Sequence, residues 1–84
     1  MKISLGCDEA AYQLKETIKE HLQKAGHEVM DHGVGEGETA LYPDSAVKTC
    51  EKVADGTCDR GILVCGTGIG MAMTANKVPG IRAA

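Results

Sequence analysis

Aromatic residues are nearly absent from this 84-residue sequence, which has two tyrosines and neither phenylalanine nor tryptophan. Without aromatic side chains to stack on bases, a single-stranded nucleic-acid platform is excluded. An excess of positive charge is lacking too, since 9 Lys and Arg residues face 12 Asp and Glu residues, for a net charge of −3. A nucleic-acid surface needs a basic patch, so we expect no nucleic-acid partner.

The sequence also lacks a long apolar run. The longest uncharged stretch, residues 61–76, is interrupted by glycines and is too short to span a bilayer. No secretory leader is visible at the N-terminus, so we expect a cytoplasmic protein with no membrane partner. The four cysteines, Cys7, Cys50, Cys58 and Cys65, form no C-x-x-C pair. We therefore expect reduced thiols and no metal site.

What is present is an alternation of apolar strands and amphipathic helices within the length of one small domain, residues 1–84. The order predicts a three-layer α/β/α fold with a mainly parallel sheet, since such alternation requires crossover helices on both faces. The predicted strands are Lys2–Cys7 and residues 27–32, 61–65 and 81–84. The three predicted helices cover residues 10–25, 43–55 and 71–78.

The first predicted helix carries Leu14, Ile18 and Leu22 at a spacing of four, flanked by Ala11 and Ala25. This spacing is typical of a helix with one apolar face. Gly26 follows and predicts a left-handed C-terminal cap. Pro43, in the first turn, begins the second predicted helix, and Gly56 ends it.

The strongest chemical signal is the segment Cys-Gly-Thr-Gly-Ile-Gly at residues 65–70, which follows the third predicted strand. Alternating glycines allow a ligand close to the backbone, and a helix start directs free N–H groups at an anion. The segment matches neither the dinucleotide fingerprint G-x-G-x-x-G nor a Walker loop. A tight turn without any ligand remains the alternative.

Two side chains follow strand ends that a parallel sheet brings to one edge: Asp8 after the first strand and Cys65 after the third. A helix start favours the thiolate form of a cysteine such as Cys65, whereas a buried structural role is the alternative. Asp8 could face the same crevice, cap the first helix, or do both. Cys7, Cys50 and Cys58 are expected to be structural.

Several segments together resemble the type B ribose-5-phosphate isomerase family, which includes galactose-6-phosphate isomerase subunits and tetrose-phosphate isomerases. The resemblance covers essentially the whole chain and is carried by Gly6-Cys7-Asp8, Tyr42-Pro43-Asp44, the block from Arg60 to Met71 containing C-G-T-G-I-G-M, and the block from Ala75 to Ala84 containing N-K-V-P-G-I-R.

The resemblance implies a Rossmann-like fold and a cofactor-free aldose–ketose isomerase that moves a proton between C2 and C1 of an opened sugar phosphate. It implies that Cys65 is the base, that Asp8 helps ring opening, and that Thr67 helps to hold the oxyanion. The N–H groups of Gly66, Gly68, Ile69 and Gly70 would share that last task. Tyr42 would line the pocket. A homodimer or higher homo-oligomer with the site between subunits is also implied.

Two departures from the family pattern affect the expected substrate and extent. The family usually has histidine after the aspartate, in contact with the phosphate end of the substrate, where this chain has Glu9. Glu9 would therefore shift the substrate from a pentose phosphate toward a tetrose phosphate. Family members have roughly 150 residues, the size of an ordinary domain, and carry their ring-opening histidine and phosphate-binding arginines in the later part. We expect the N-terminal part of a longer isomerase, with little turnover alone.

Two other functions remain open from the sequence. The chain could bind sugar phosphates, or support a partner subunit, without turnover. It could also be a sugar phosphotransferase subunit with a phosphorylated cysteine, although in those proteins the cysteine typically follows the first strand rather than the third.

Overall fold

The fold was analysed in a computed structural model that describes residues 1–33, 42–66 and 68–84, except for the side chains of residues 42 and 43. The elements follow the order β1 (Lys2–Cys7), a short 3-10 helix (Glu9–Ala11), α1 (Tyr12–Lys24), β2 (Glu28–Asp31), α2 (Tyr42–Ala54), β3 (Arg60–Val64) and α3 (Ile69–Ala75). No helix in these ranges has the length and apolar character needed to cross a membrane.

The described strands form a parallel sheet, as the alternation of elements predicted, and their order in the sheet is β2-β1-β3. Leu5 of β1 pairs with Asp31 of β2 on one side and with Ile62 of β3 on the other. Because the chain crosses from β2 past β1 to reach β3, the strand order reverses between β1 and β3. In parallel α/β sheets, ligands bind outside the carboxyl ends of the strands at such a point.

Alternate residues of β1 face different helices, which places helices on both sides of the sheet. Leu5 and Cys7 belong to an apolar cluster with Ala11, against which Ile18 of α1 packs. Ser4 on the other face donates a hydrogen bond to the carbonyl of Thr49 in α2 at 2.9 Å. The expected three layers are therefore present, with α3 packed against α2.

The predicted fourth strand at residues 81–84 is wrong. After Pro79 and Gly80, the Ile81 N–H turns back to the Val78 carbonyl at 3.1 Å. Both backbone groups of Ala83 then bond to the side chain of Asn76, at 2.9 and 3.1 Å. A strand needs a neighbouring backbone as its partner, and here a side-chain amide takes that place.

The predicted inward face of α1 is also wrong in part. Leu14 is 55% exposed, whereas Lys15 is 2% exposed. Steps of four residues advance 400° around a helix and drift by 40° each, so Leu14 and Leu22 cannot share one narrow face. Ala11 and Lys15 are buried and Ile18 and Leu22 are half-buried, and the spacing of four, three and four keeps these residues to one stripe.

Glycines end two helices as expected. Gly26 follows α1 with φ 93°, and Gly56 follows α2 with φ 85°. This left-handed conformation is open to glycine at little steric cost.

Candidate functional site

Asp8 and Cys65 lie beside each other at the point where the strand order reverses. The register pairs Cys7 with Val64, and the Asp8 N–H donates to the Val64 carbonyl at 3.2 Å. The next residue on each strand is therefore Asp8 on β1 and Cys65 on β3. The two residues that the sequence placed in one crevice are brought together by the sheet.

Cys65 is the most accessible of the four free cysteines, since its side chain is half-buried and the other three are buried. Its Sγ accepts a hydrogen bond from the Gly68 N–H at 2.9 Å. Gly68 makes this contact in the left-handed conformation, with φ 81°, directly before α3.

The other thiols have the structural places expected of them. Cys7 is fully buried in the sheet core, and Cys58 contacts the sulfur of Met30 at 3.4 Å. Burial raises the pKa of Cys50, which keeps that thiol protonated and unreactive. Cys65 is therefore the one cysteine with both access to solvent and a hydrogen bond to its sulfur among those described.

Asp8 caps the first helical segment, the structural role that the sequence left open. Its Oδ1 accepts from the Ala11 N–H at 2.9 Å. The capping bond fixes the carboxylate on the same sheet edge as Cys65, so a cap and a place in the crevice are compatible here. Glu9 follows at the start of the 3-10 helix and is exposed.

The glycine turn itself is only partly described. Thr67 lies outside the described residues, and so does the side chain of Tyr42, although its backbone begins α2. Gly66 and Gly68 are exposed, and Ile69 and Gly70 form the first turn of α3.

A cavity of about 660 Å³ lies next to this turn but does not include Cys65. It is an open cavity lined by residues of β3, α2, α3 and the C-terminal segment, with Gly68, Met71 and Arg82 among them. The crevice that Asp8 and Cys65 were expected to share is therefore not this cavity. Among the described residues no group of three or more His, Cys, Asp or Glu side chains is placed to hold a metal ion.

A cluster of charges around the buried side chain of Lys15, which the sequence analysis missed, lies at the carboxyl end of β2. The Lys15 Nζ pairs with Asp31 Oδ2 at 2.7 Å and with Glu16 Oε1 at 2.8 Å. The other Asp31 oxygen accepts the Gly33 N–H at 2.8 Å. Lys15 thereby ties α1 to the end of β2. The signal in the sequence was the 11, 15, 18, 22 spacing together with an acid at the end of the next strand.

The chain is a parallel α/β domain with Asp8 and Cys65 at the carboxyl ends of β1 and β3, where the strand order reverses. The family model described as Ribose/Galactose Isomerase matches residues 3–84, and the chain belongs to this family. The resemblance deduced from the sequence motifs is thereby confirmed.

Similar proteins with full coverage of this chain carry different substrate names. Ribose-5-P isomerase B of Listeria innocua is 54% identical over 84 residues, covering 100% of this chain and 57% of the relative. D-erythrulose-4-phosphate isomerase of Pectobacterium atrosepticum is 49% identical, covering 100% of this chain and 56% of the relative.

A solved structure, that of Clostridium thermocellum ribose-5-phosphate isomerase B, matches with a TM-score of 0.96 and 52% identity. The match covers 100% of this chain and 57% of the solved one. This chain thus spans little more than half the length of the relatives it matches.

Proposed function

We propose that this chain is the N-terminal part of a longer, cofactor-free isomerase that interconverts an aldose phosphate and a ketose phosphate. Family membership supports the reaction class, and the coverage of 57% of the relatives supports a longer protein. The observation that carries the proposal is the half-buried Cys65 thiol beside Asp8 at the switch point of the sheet. Unpaired thiols suit a reducing compartment, so the proposed location is the cytoplasm.

In the proposed reaction the Cys65 thiolate removes the proton from C2 of the open-chain aldose. The electron pair left on C2 forms the C1–C2 double bond of an enediolate, and the carbonyl oxygen on C1 becomes negative. The proton then returns to C1, while the hydroxyl proton on C2 passes to the oxygen on C1, which yields the ketose. A base for this step must lie within roughly 3 Å of the proton it takes.

The remaining proposed roles are those that the resemblance to the family implies. The donors proposed for the enediolate oxygen are the Thr67 hydroxyl and the N–H groups of Gly66, Ile69 and Gly70, as the resemblance implies. The Gly68 N–H, also in that set, donates to the Cys65 sulfur. Asp8, held by its capping bond, is proposed to assist ring opening. Tyr42 is proposed to line the pocket, and a homodimer or higher homo-oligomer to complete it.

Cys65→Ala in the full-length protein tests the base. We expect solvent exchange of the substrate C2 proton, followed by NMR in D₂O, to fall at least about a hundredfold, the scale of a general base. Cys65→Ser should fall nearly as far, because a serine hydroxyl is a far weaker base. Substrate binding should remain, since the mutation removes no proposed phosphate contact.

Cys50→Ala is the matched control for loss of a thiol, because Cys50 is buried in α2 away from the strand end. It should retain proton exchange in the molecules that fold. Near-normal exchange in Cys65→Ala, or an equal loss in Cys50→Ala, would contradict the assignment of Cys65 as the base.

Glu9 is proposed to select the sugar phosphate. A carboxylate close to a phosphate dianion is repelled by on the order of 1–4 kcal/mol in a partly dry site. Glu9 is therefore expected to favour a shorter or differently oriented sugar, and the measurement is kcat/KM for ribose 5-phosphate against erythrulose 4-phosphate. Glu9→His should raise the ratio in favour of ribose 5-phosphate, while Glu20→His, an exposed position on α1, should not. Highest activity on ribose 5-phosphate, lowered by Glu9→His, would contradict this proposal.

A sugar-phosphate-binding subunit without turnover is the second candidate, favoured by the partial coverage of the relatives. It predicts a rise in Tm with sugar phosphate in the absence of any ketose formation. The phosphotransferase alternative has no support from the family match. Transfer of labelled phosphate to Cys65 would restore it.

A further inference from the structure

The hydroxyl of Ser45 lies between the carboxyl ends of β1 and β2. The Cys7 N–H donates to Ser45 Oγ at 3.1 Å, and Ser45 Oγ in turn donates to the His32 carbonyl at 2.9 Å. Ser45 is 4% exposed, in the N-terminal part of α2. One buried hydroxyl thus bonds to both strands.

The ladder register explains what this hydroxyl replaces. Leu5 pairs with Asp31, and the His32 N–H donates to the Leu5 carbonyl at 2.7 Å. In a parallel ladder the next bond would run directly from the Cys7 N–H to the His32 carbonyl. Ser45 Oγ takes both groups instead. β1 and β2 are therefore linked through one inserted oxygen at their last step.

β1 remains paired with β3 beyond this point. The Asp8 N–H continues that ladder to the Val64 carbonyl at 3.2 Å. The backbone N–H groups of Cys7 and Asp8 are consequently held from opposite sides, one by α2 and one by β3. This backbone carries Asp8, whose neighbour on the β3 side is Cys65.

Gly6 is what allows α2 to come so close. A Cβ at Gly6 would collide with Thr49 Oγ1 and would lie 2.8 Å from Ser45 Oγ. Thr49 offers a useful contrast, because its equally buried hydroxyl donates to the Ser45 carbonyl within α2 at 2.8 Å. That bond stays within the helix and does not reach a strand end.

We infer that Ser45 is a positioning residue: its hydroxyl, inserted between the carboxyl ends of β1 and β2, fixes the Cys7–Asp8 backbone so that Asp8 stays beside Cys65. The inference rests on the proposed function for its catalytic consequence. Its structural part does not depend on any substrate. Loss of the hydroxyl lets the two strand ends close on each other or admit water, and either outcome moves Asp8.

The test compares Ser45→Ala with Thr49→Val in the full-length protein. Both changes remove a buried hydroxyl from the same face of α2, but the Ser45 hydroxyl alone joins the strand ends. Ser45→Ala should speed amide hydrogen exchange at Cys7 about tenfold or more, and lower kcat about tenfold with KM within about twofold, because misplacement affects the reacting geometry rather than binding. Ser45→Thr, which keeps the hydroxyl, should recover the slow exchange.

Thr49→Val should leave Cys7 exchange and kcat within about twofold of the unsubstituted protein, once its stability is matched by temperature. Equal effects of the two variants, or unchanged Cys7 exchange in Ser45→Ala, overturn the inference. Changed exchange with unchanged kcat overturns the catalytic part. If no sugar phosphate turns over in the unsubstituted protein, the proposed function fails while the exchange result still decides the structural part. If Ser45→Ala does not fold, NMR of the unsubstituted protein decides, because a rapidly exchanging Ser45 hydroxyl proton without contact to the Cys7 amide refutes the bridge.

Discussion

Replacing Lys15 by methionine should destabilise this domain far more than the loss of a surface lysine would. Methionine keeps the unbranched apolar stem and removes the ammonium that Asp31 and Glu16 share at 2.7 and 2.8 Å. The ammonium is buried, and the Asp31 side chain is 18% exposed. The substitution would leave Asp31 without its nearest countercharge.

The expected magnitude follows from what Asp31 keeps. Removing one partner of a fully buried pair costs about 3–5 kcal/mol. Asp31 retains the Gly33 N–H at 2.8 Å and the Lys19 ammonium at 3.3 Å, and part of it reaches solvent. We therefore expect about 2–3 kcal/mol, a large fraction of the roughly 4–13 kcal/mol usual for a chain of this length.

Urea unfolding monitored by circular dichroism measures this cost. With a slope of about 1 kcal/mol per molar urea for a domain this small, the midpoint should fall by about 2–3 M. Lys19→Met is the matched control, because Lys19 contacts the same Asp31 oxygen but is 30% exposed, and it should cost no more than about 1 kcal/mol. Equal losses in the two variants, or a loss below about 0.5 kcal/mol for Lys15→Met, would refute the reasoning.

The difference in unfolding free energy between the unsubstituted protein and Lys15→Met should also depend on pH. Burial raises the pKa of Asp31, but hydrogen bonds from Lys15 and Gly33 outweigh it and leave the pKa below its usual range. The stabilisation that comes from ionised Asp31 is complete above about pH 4, the ordinary pKa of aspartate. It is lost as pH falls through the lower pKa that Asp31 has in the folded state.

The pKa of Lys15 determines the pH above which the ion pair with Asp31 no longer stabilises the fold. Burial lowers the pKa of Lys15, but the hydrogen bonds to Asp31 and Glu16 raise it by more than burial lowers it. The pKa therefore lies above the ordinary lysine value. Its contribution is complete below about pH 10 and is lost as pH rises through the folded-state pKa. A penalty for Lys15→Met that is the same at pH 3 as at pH 7 would contradict the pairing.

Two further substitutions test packing in this fold, each by urea midpoint against a control. Leu14→Gln should change stability by no more than about 0.5 kcal/mol because Leu14 is exposed. Ile18→Ala, which loses contact with the core cluster, should cost about 1–3 kcal/mol. A larger loss for Leu14→Gln than for Ile18→Ala would mean that Leu14 faces inward. Gly6→Ala should cost about 1–3 kcal/mol because the added Cβ would collide with side chains of α2. Gly66→Ala should be near neutral because its added Cβ would meet open space. A neutral Gly6→Ala would contradict the close approach of α2 to β1.

The sequence alone determined the layered parallel fold and the meeting of Asp8 with Cys65. The predicted bounds of β1 match the observed Lys2–Cys7, because its apolar run ends in polar residues. The glycines after α1 and α2 have the left-handed conformation that ends a helix. Parallel strands share one carboxyl edge, so two residues that follow β1 and β3 meet without knowledge of any other contact.

Only the tertiary structure decided which groups satisfy one another. The Lys15 ammonium is inside because Asp31 arrives from β2 to pair with it, while Leu14 is turned outward. Residues 81–84 are not a strand because a side chain, that of Asn76, takes the hydrogen bonds of Ala83. Periodicity in the sequence shows only how apolar residues are spaced. Buried charges and backbone groups need partners that lie far along the chain, because a polar group can be buried at little cost only when it is paired.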